Sequence, residues 1–210
     1  LVIKVHDVMP SPTPPKSMLI QAYNAMSSRL NQVALSRADR ILCTSTEVVR
    51  ILSNLGLKDS KMVIFPNTVD LKLFSSSNRV EEIRNSLGLI DKRVVLFMAS
   101  AFEDRGLDVL LRALRIIKDE RIVLLIVGPC DKKHKELAQG FGVCNRVIFT
   151  GRVDYRHVPV YIQKADVCIG PLIASPYTHG TVPRKVIEYM ACGKPVIVAR
   201  GAVTRDLVID

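Results

Sequence analysis

Tryptophan is absent from this 210-residue chain and aromatic residues make up only 5% of it. The stacking platforms of single-strand nucleic-acid binding are hard to build from that stock. No apolar run approaches the roughly 18 residues that cross a membrane as a helix. The longest, Ile122 to Cys130, suffices for one buried strand. No methionine opens the chain and no charged-then-apolar leader is visible, so no secretory signal is expected. The chain starts inside an apolar strand and reads as a piece of something longer. The five cysteines are odd in number and lack C-x-x-C spacing, which suits free structural thiols in a reducing compartment. The four histidines are far apart and no H-E-x-x-H occurs, so no metal site is expected.

Several familiar catalytic devices are missing too. No G-x-G-x-x-G follows the first strand; Gly140-Phe141-Gly142 is a bare G-x-G that reads as a helix stop. Gly193-Lys194 lacks the upstream glycine of a phosphate-binding P-loop, G-x-S-x-G does not occur, and no two aspartates stand at i, i+2. The chain does have 48% hydrophobic residues, enough to exclude a disordered chain, and a net charge of +10. That excess suits an acidic partner such as phosphate groups, nucleic acid or an anionic membrane surface.

Short apolar runs alternate with stretches of helical periodicity. Leu1 to Val5, Ile41 to Thr44 and Met62 to Phe65 read as strands. A Pro-rich turn and a helical stretch, Ser17 to Ala38, lie between the first two; Met18, Ala22, Ala25, Leu30, Val33 and Leu35 form its expected buried side. Ser45 is placed to cap a helix that stops at Gly56. From Leu71 the composition turns polar, then the rhythm restarts. Strands are expected at Val94–Ala99, Ile122–Val127, Val147–Thr150, Val167–Ile169 and Val196–Ala199. The helices between them cover about Leu107–Lys118, Lys132–Phe141, Val158–Lys164 and Arg184–Ala191. Continuous Val/Ile/Leu strands alternating with helices predict an α/β chain of doubly wound parallel sheets. The domains expected are residues 1–75, with an incomplete sheet, a linker at 76–91, and a nearly complete domain at 92–210.

Ligands of such sheets bind beyond the carboxyl ends of the strands, and five features fall there. Arg105-Gly106 opens a helix after the strand Val94–Ala99, Gly128-Pro129 ends Ile122–Val127, and Gly151-Arg152-Val153 ends Val147–Thr150. Gly180-Thr181-Val182-Pro183 opens the helix carrying Lys185 and Glu188, and His6-Asp7 ends the first strand. A glycine-led helix N-terminus is a seat for phosphate, and Pro183 suits a first helical turn. The Arg105 guanidinium can neutralise a diphosphate, and Glu188 can accept hydrogen bonds from two ribose hydroxyls. Lys185 and Glu188, at i, i+3, read equally as a helix-surface pair.

The ordered set of motifs resembles the retaining glycosyltransferases of family 4, over nearly the whole chain. Ala38-Asp39-Arg40-Ile41-Leu42-Cys43-Thr44-Ser45 and Phe65-Pro66-Asn67-Thr68-Val69-Asp70 with Phe74 are similar to two segments of its first domain. Gly106-Leu107-Asp108, Ile126-Val127-Gly128 and Phe149-Thr150-Gly151 follow in order. The run from Pro183 to Val196, with Lys185, Glu188, Tyr189, Ala191 and Gly193-Lys194-Pro195, resembles the signature P-x-K-x-x-E-Y-x-A-x-G-K-P-V.

The resemblance implies the GT-B fold of two Rossmann-like domains and transfer of a hexose, with retention and without metal or cofactor, from a nucleotide-diphosphate sugar to an acceptor hydroxyl. The acceptor class implied is a glycan or lipid-linked saccharide. It implies a cytoplasmic location, at the inner membrane face in many relatives; the +10 charge is compatible with such attachment and equally with a solvated basic surface. By motif, Glu188 binds the donor ribose and Arg105 the diphosphate; the loop Gly180, Thr181, Val182 offers backbone N–H groups, and Val153 lies near the base. His6 faces donor sugar and acceptor. In two places the pattern departs: Gly180 stands where the family has a second Glu, and Ser100 where it has Arg. These favour, as an alternative, a nucleotide-binding module that has lost catalysis. A GT-B UDP-amino-sugar isomerase is a further alternative, and a basic lipid or nucleic-acid binder ranks last.

Overall fold

The computed structural model describes residues 1–5, 29–75, 87–99, 106–171 and 183–199. These fall into two compact units, divided between Asn67 and Thr68.

The first unit carries a parallel three-stranded sheet, β1 (Val2–Val5), β2 (Arg40–Cys43) and β3 (Met62–Ile64), in that order. In register, Ile3 lies beside Ile41 and Val5 beside Cys43, while Ile41 also pairs with Met62. Side chains two apart share a face, so these residues form one apolar cluster with Ala38 and, from helix α2 (Thr46–Asn54), Val48 and Leu52. The Ser45 hydroxyl caps α2 by accepting from the Val48 N–H at 3.2 Å, and Gly56 follows its C-terminus at φ 84°, as expected. Residues 29–37 form helix α1. Of its expected apolar side, Leu35 packs on the cluster, whereas Leu30 and Val33 are exposed; Met18, Ala22 and Ala25 lie outside the described residues.

The second unit holds five parallel strands in the order β6-β5-β4-β7-β8: β4 (Arg93–Met98), β5 (Ile122–Val127), β6 (Val147–Phe149), β7 (Val167–Gly170) and β8 (Val196–Val198). Alternation along β5 sends Val123, Leu125 and Val127 to one cluster and Leu124 and Ile126 to another. Helix α3 (Leu71–Ser75), α6 (Val158–Lys164) and α7 (Arg184–Ala191) contribute to the first cluster, and α4 (Leu107–Ile116) and α5 (Lys132–Gly140) to the second. The sheet is therefore covered on both faces.

One boundary needs correction. Residues 71–75, expected in the first domain, pack with the second unit: Phe74 is fully buried in the cluster that holds Leu96, Leu125 and Tyr189. Five residues are too few to show helical periodicity, and the polar residues after them mark the composition change, not the packing boundary. Arg146, beside β6, is buried and donates to the carbonyls of Leu114, Ile117 and Asp119, closing the C-terminal end of α4. All five cysteines are free. Burial pushes the Cys168 and Cys192 thiols up to about 12 and about 11, which makes them inert as nucleophiles.

Candidate functional site

In the second sheet the order reverses at β4, with β5 on one side and β7 on the other. The crevice beyond the carboxyl ends at such a reversal is where open α/β sheets hold ligands. At this point Gly106 begins α4 with φ 80°, and a Cβ placed on it would come within 3.1 Å of the Pro171 Cβ, after β7. Only glycine meets both the left-handed backbone and the close approach. On the other side of β4, β5 is followed by Gly128, at φ 146°, whose N–H donates to the Gly151 carbonyl at 3.1 Å. The glycines expected at these two strand ends are thus brought together.

Helix α7 bolts onto the end of β4 by two side chains. The Met98 N–H donates to the Tyr189 hydroxyl at 3.1 Å, and Lys185 Nζ donates to the Met98 carbonyl at 2.9 Å while lying 4.9 Å from the Phe97 ring centroid. Val186 and Tyr189 are fully buried, so the helix is held by its core face. Pro183 stands at the N-cap, one position before the first turn in which it was expected.

Glu188, on the same helix, is only 3% exposed. The Tyr155 hydroxyl donates to its Oε1 at 2.9 Å, and Arg184 Nε lies 3.4 Å from the same oxygen. Arg184 Nη2 also donates to the Tyr155 hydroxyl at 3.3 Å, and its guanidinium lies 5.2 Å from that ring's centroid. Among the described residues both Glu188 contacts fall on Oε1 and none on Oε2. Burial raises the Glu188 pKa above its ordinary value, opposed by the Tyr155 hydrogen bond and by the charges of Arg184 and Lys185. The carboxylate is desolvated but holds a hydrogen bond from Tyr155 and an ion pair with Arg184, the kind of pairing a buried charge requires.

Of the residues singled out from the sequence, Gly128, Val153, Lys185 and Glu188 all belong to the second unit, at or beyond its strand ends. Val153 is half-buried against the cluster that contains Phe74 and Tyr189. His6, Arg105, Gly180, Thr181 and Val182 lie outside the described residues, as does Ser100. Lys185 turns to β4, and the ion pair along the helix is Arg184–Glu188. Sequence reasoning missed Tyr155 and Arg184. Arg184 was within reach, because it precedes Glu188 by the i, i+4 step that joins helix neighbours. Tyr155 was not: it meets Glu188 across 33 positions of chain. Among the described residues no group of three or more His, Cys, Asp or Glu is placed to hold a metal ion, and no helix is long and apolar enough to cross a membrane.

Comparison with known proteins identifies the family and the fold. Residues 79–210 match the family described as glycosyl transferases group 1. The alpha-monoglucosyldiacylglycerol synthase of Streptococcus pneumoniae is 30% identical over 204 residues, covering 93% of this chain and 44% of that protein. The D-inositol 3-phosphate glycosyltransferase of Thermobifida fusca is 26% identical over 178 residues, 78% of this chain and 40% of its own length. The chain thus spans less than half of these curated relatives. Among solved structures, Anabaena HepE in complex with UDP and glucose superposes with a TM-score of 0.82 at 21% identity, over 100% of this chain and 55% of that one. Sucrose-phosphate synthase from Thermosynechococcus elongatus gives 0.71 at 27% identity, over 93% and 49%.

Proposed function

Since the chain belongs to the glycosyl transferases group 1 family and its two parallel α/β units have the GT-B fold, we propose that it is the donor-holding part of a glycosyltransferase of the family 4 kind, taking a nucleotide-diphosphate sugar. The single observation that carries the reading is Glu188: a buried carboxylate at the ligand edge of the second sheet, whose contacts among the described residues fall on Oε1, with Oε2 proposed to take a diol. Glu188 accepts from the ribose hydroxyls and the loop around Val153 borders the base. Lys185, Arg105 and the backbone of Gly180, Thr181 and Val182 supply positive potential to the diphosphate. HepE, in complex with UDP and glucose, supports a nucleotide of this type.

The transfer proposed is a retaining one that uses no metal and no cofactor. The bond from the sugar's anomeric carbon to the diphosphate oxygen breaks, a bond to the acceptor oxygen forms on the same face, and the acceptor's proton passes to the departing diphosphate. Cations and helix N-termini stabilise the charge developing on that leaving group, and His6, facing sugar and acceptor, helps to position them. The acceptor is a saccharide or lipid-linked hydroxyl, in keeping with the diacylglycerol and inositol phosphate in the relatives' names, and the site of action is the cytoplasm or its membrane face. A nucleotide-binding module without turnover is the second reading, favoured by Gly180 and Ser100.

Thermal denaturation with UDP, GDP and ADP, each with EDTA present, tests the proposal. One of the three is expected to raise Tm, a ligand at a hundredfold excess over its Kd contributing about 2.7 kcal/mol, and Glu188→Ala to abolish that rise. If none raises Tm, the donor-site reading loses its basis. Release of nucleoside diphosphate from the matching nucleotide sugar separates the transferase from the silent module.

A further inference from the structure

We propose that Tyr155 is a positioning residue for the nucleotide: its hydroxyl, itself held by Arg184, pins Glu188 through Oε1 and so aims Oε2 at the ribose. This rests on the donor-site reading and adds to it how the carboxylate is set before a ligand arrives.

The direction of the phenolic proton follows from donor and acceptor types. A guanidinium only donates, so the contact from Arg184 Nη2, at 3.3 Å, uses a lone pair of the Tyr155 oxygen. The hydroxyl's single proton is then directed to Glu188 Oε1, 2.9 Å away. Arg184 Nε lies 3.4 Å from the same oxygen as an ion pair, so one hydrogen bond and one positive charge converge on Oε1.

The ring that carries the hydroxyl is itself placed. Asp154 caps the turn Tyr155–His157 by accepting from the Arg156 N–H at 2.9 Å, and the Arg156 side chain holds the Asp154 carboxyl at about 2, so the cap stays ionised. The Tyr155 ring meets Phe74 at 5.7 Å between centroids and 57° between planes. Phe74 is fully buried, and its carbonyl accepts from Gln163 Nε2 and the Cys192 thiol. A strand-end turn and the short helix α3 therefore converge to hold one hydroxyl against one carboxylate. Among the described residues, the groups acting on that carboxylate are Tyr155 from the turn, Arg184 and Lys185 from its own helix, and the neutral Tyr189 and Cys192 beside it. Of these, the first three bear donors or charge that favour its ionised form.

Calorimetric titration of the 210-residue chain with UDP, GDP and ADP and their 2′-deoxy counterparts, between pH 5 and pH 8, tests this. Tyr155→Phe keeps the ring and its contacts with Phe74 and Arg184 but removes the hydroxyl. The wild type is expected to prefer the ribonucleotide. The variant should bind that ribonucleotide about tenfold more weakly, the scale of one hydrogen bond to a charged group, with little change for the deoxy form, so that the preference collapses. The acid limb of ribonucleotide binding should also move to higher pH, because the carboxylate has lost a donor that favours ionisation. Arg184→Gln should change both readouts in the same direction by less. A Tyr155→Phe protein that keeps the wild-type preference and acid limb overturns the positioning role and leaves the donor site standing. A wild type that binds none of the nucleotides removes the donor site, and this role with it.

Discussion

The two units use the same strand-and-helix grammar to different degrees of closure. In the second, Val123 to Val127 of β5 are at most 4% exposed and divide between two apolar clusters. In the first, Ile41 and Cys43 of β2 are fully buried, but Val63 and Ile64 of the edge strand stand 44% and 49% exposed, and a single cluster serves the sheet. The difference explains where a buried carboxylate can be held. Burying Glu188 costs free energy unless donors are fixed around it, and fixed donors need packed supports: Val186 and Tyr189 under its helix and Phe74 beside Tyr155.

The largest effect expected from this contrast is in core truncations. Phe97→Ala, in the doubly covered sheet, should cost about 3–5 kcal/mol in urea unfolding, whereas Val63→Ala at the exposed edge should stay within about 0.5 kcal/mol. Comparable losses from the two would erase the distinction. Next comes Arg146→Ala, which leaves the carbonyls of Leu114, Ile117 and Asp119 short of a buried donor. A loss of about 2–3 kcal/mol is expected, read by the same unfolding curves; a loss under 0.5 kcal/mol would show that α4 does not depend on that cap.

The smallest effect is a pH dependence at the site itself. Because burial raises the folded-state pKa of Glu188 above its ordinary 4.5, the folded state holds this proton more tightly than the unfolded chain. The resulting stability is fully present below the unfolded value and is lost as pH rises through the raised one. Glu188→Gln, which carries no charge, should therefore gain Tm relative to the wild type between pH 4 and pH 8 while losing the nucleotide response. A relative Tm that falls over that range would contradict the sign.

Most of the fold was legible because buried parallel strands are written as unbroken apolar runs and helices by their period: the strand Ile122–Val127 and the helices Val158–Lys164 and Arg184–Ala191 match their expected bounds, and the other strands in the described residues differ by a residue at one or both ends. Helix α3 was not legible, since five residues carry no period and Phe74 is buried by partners far along the chain. At the site, Glu188 and the glycines at strand ends could be singled out from strand order and chemistry. The Tyr155 contact that orients Glu188 could not, because Tyr155 reaches it through the fold. Lys185 shows the same limit: its spacing suggested a pair with Glu188, while its ammonium bonds to the end of β4.

The central claim is that Glu188 grips the ribose of a nucleotide at the carboxyl edge of the second sheet. A crystal structure of the chain with whichever of UDP, GDP and ADP raises its Tm tests it most directly. The account predicts a ribose hydroxyl within about 3.2 Å of Glu188 Oε2, with the Tyr155 hydroxyl still on Oε1. That nucleotide bound with its ribose turned away from Glu188 would contradict it.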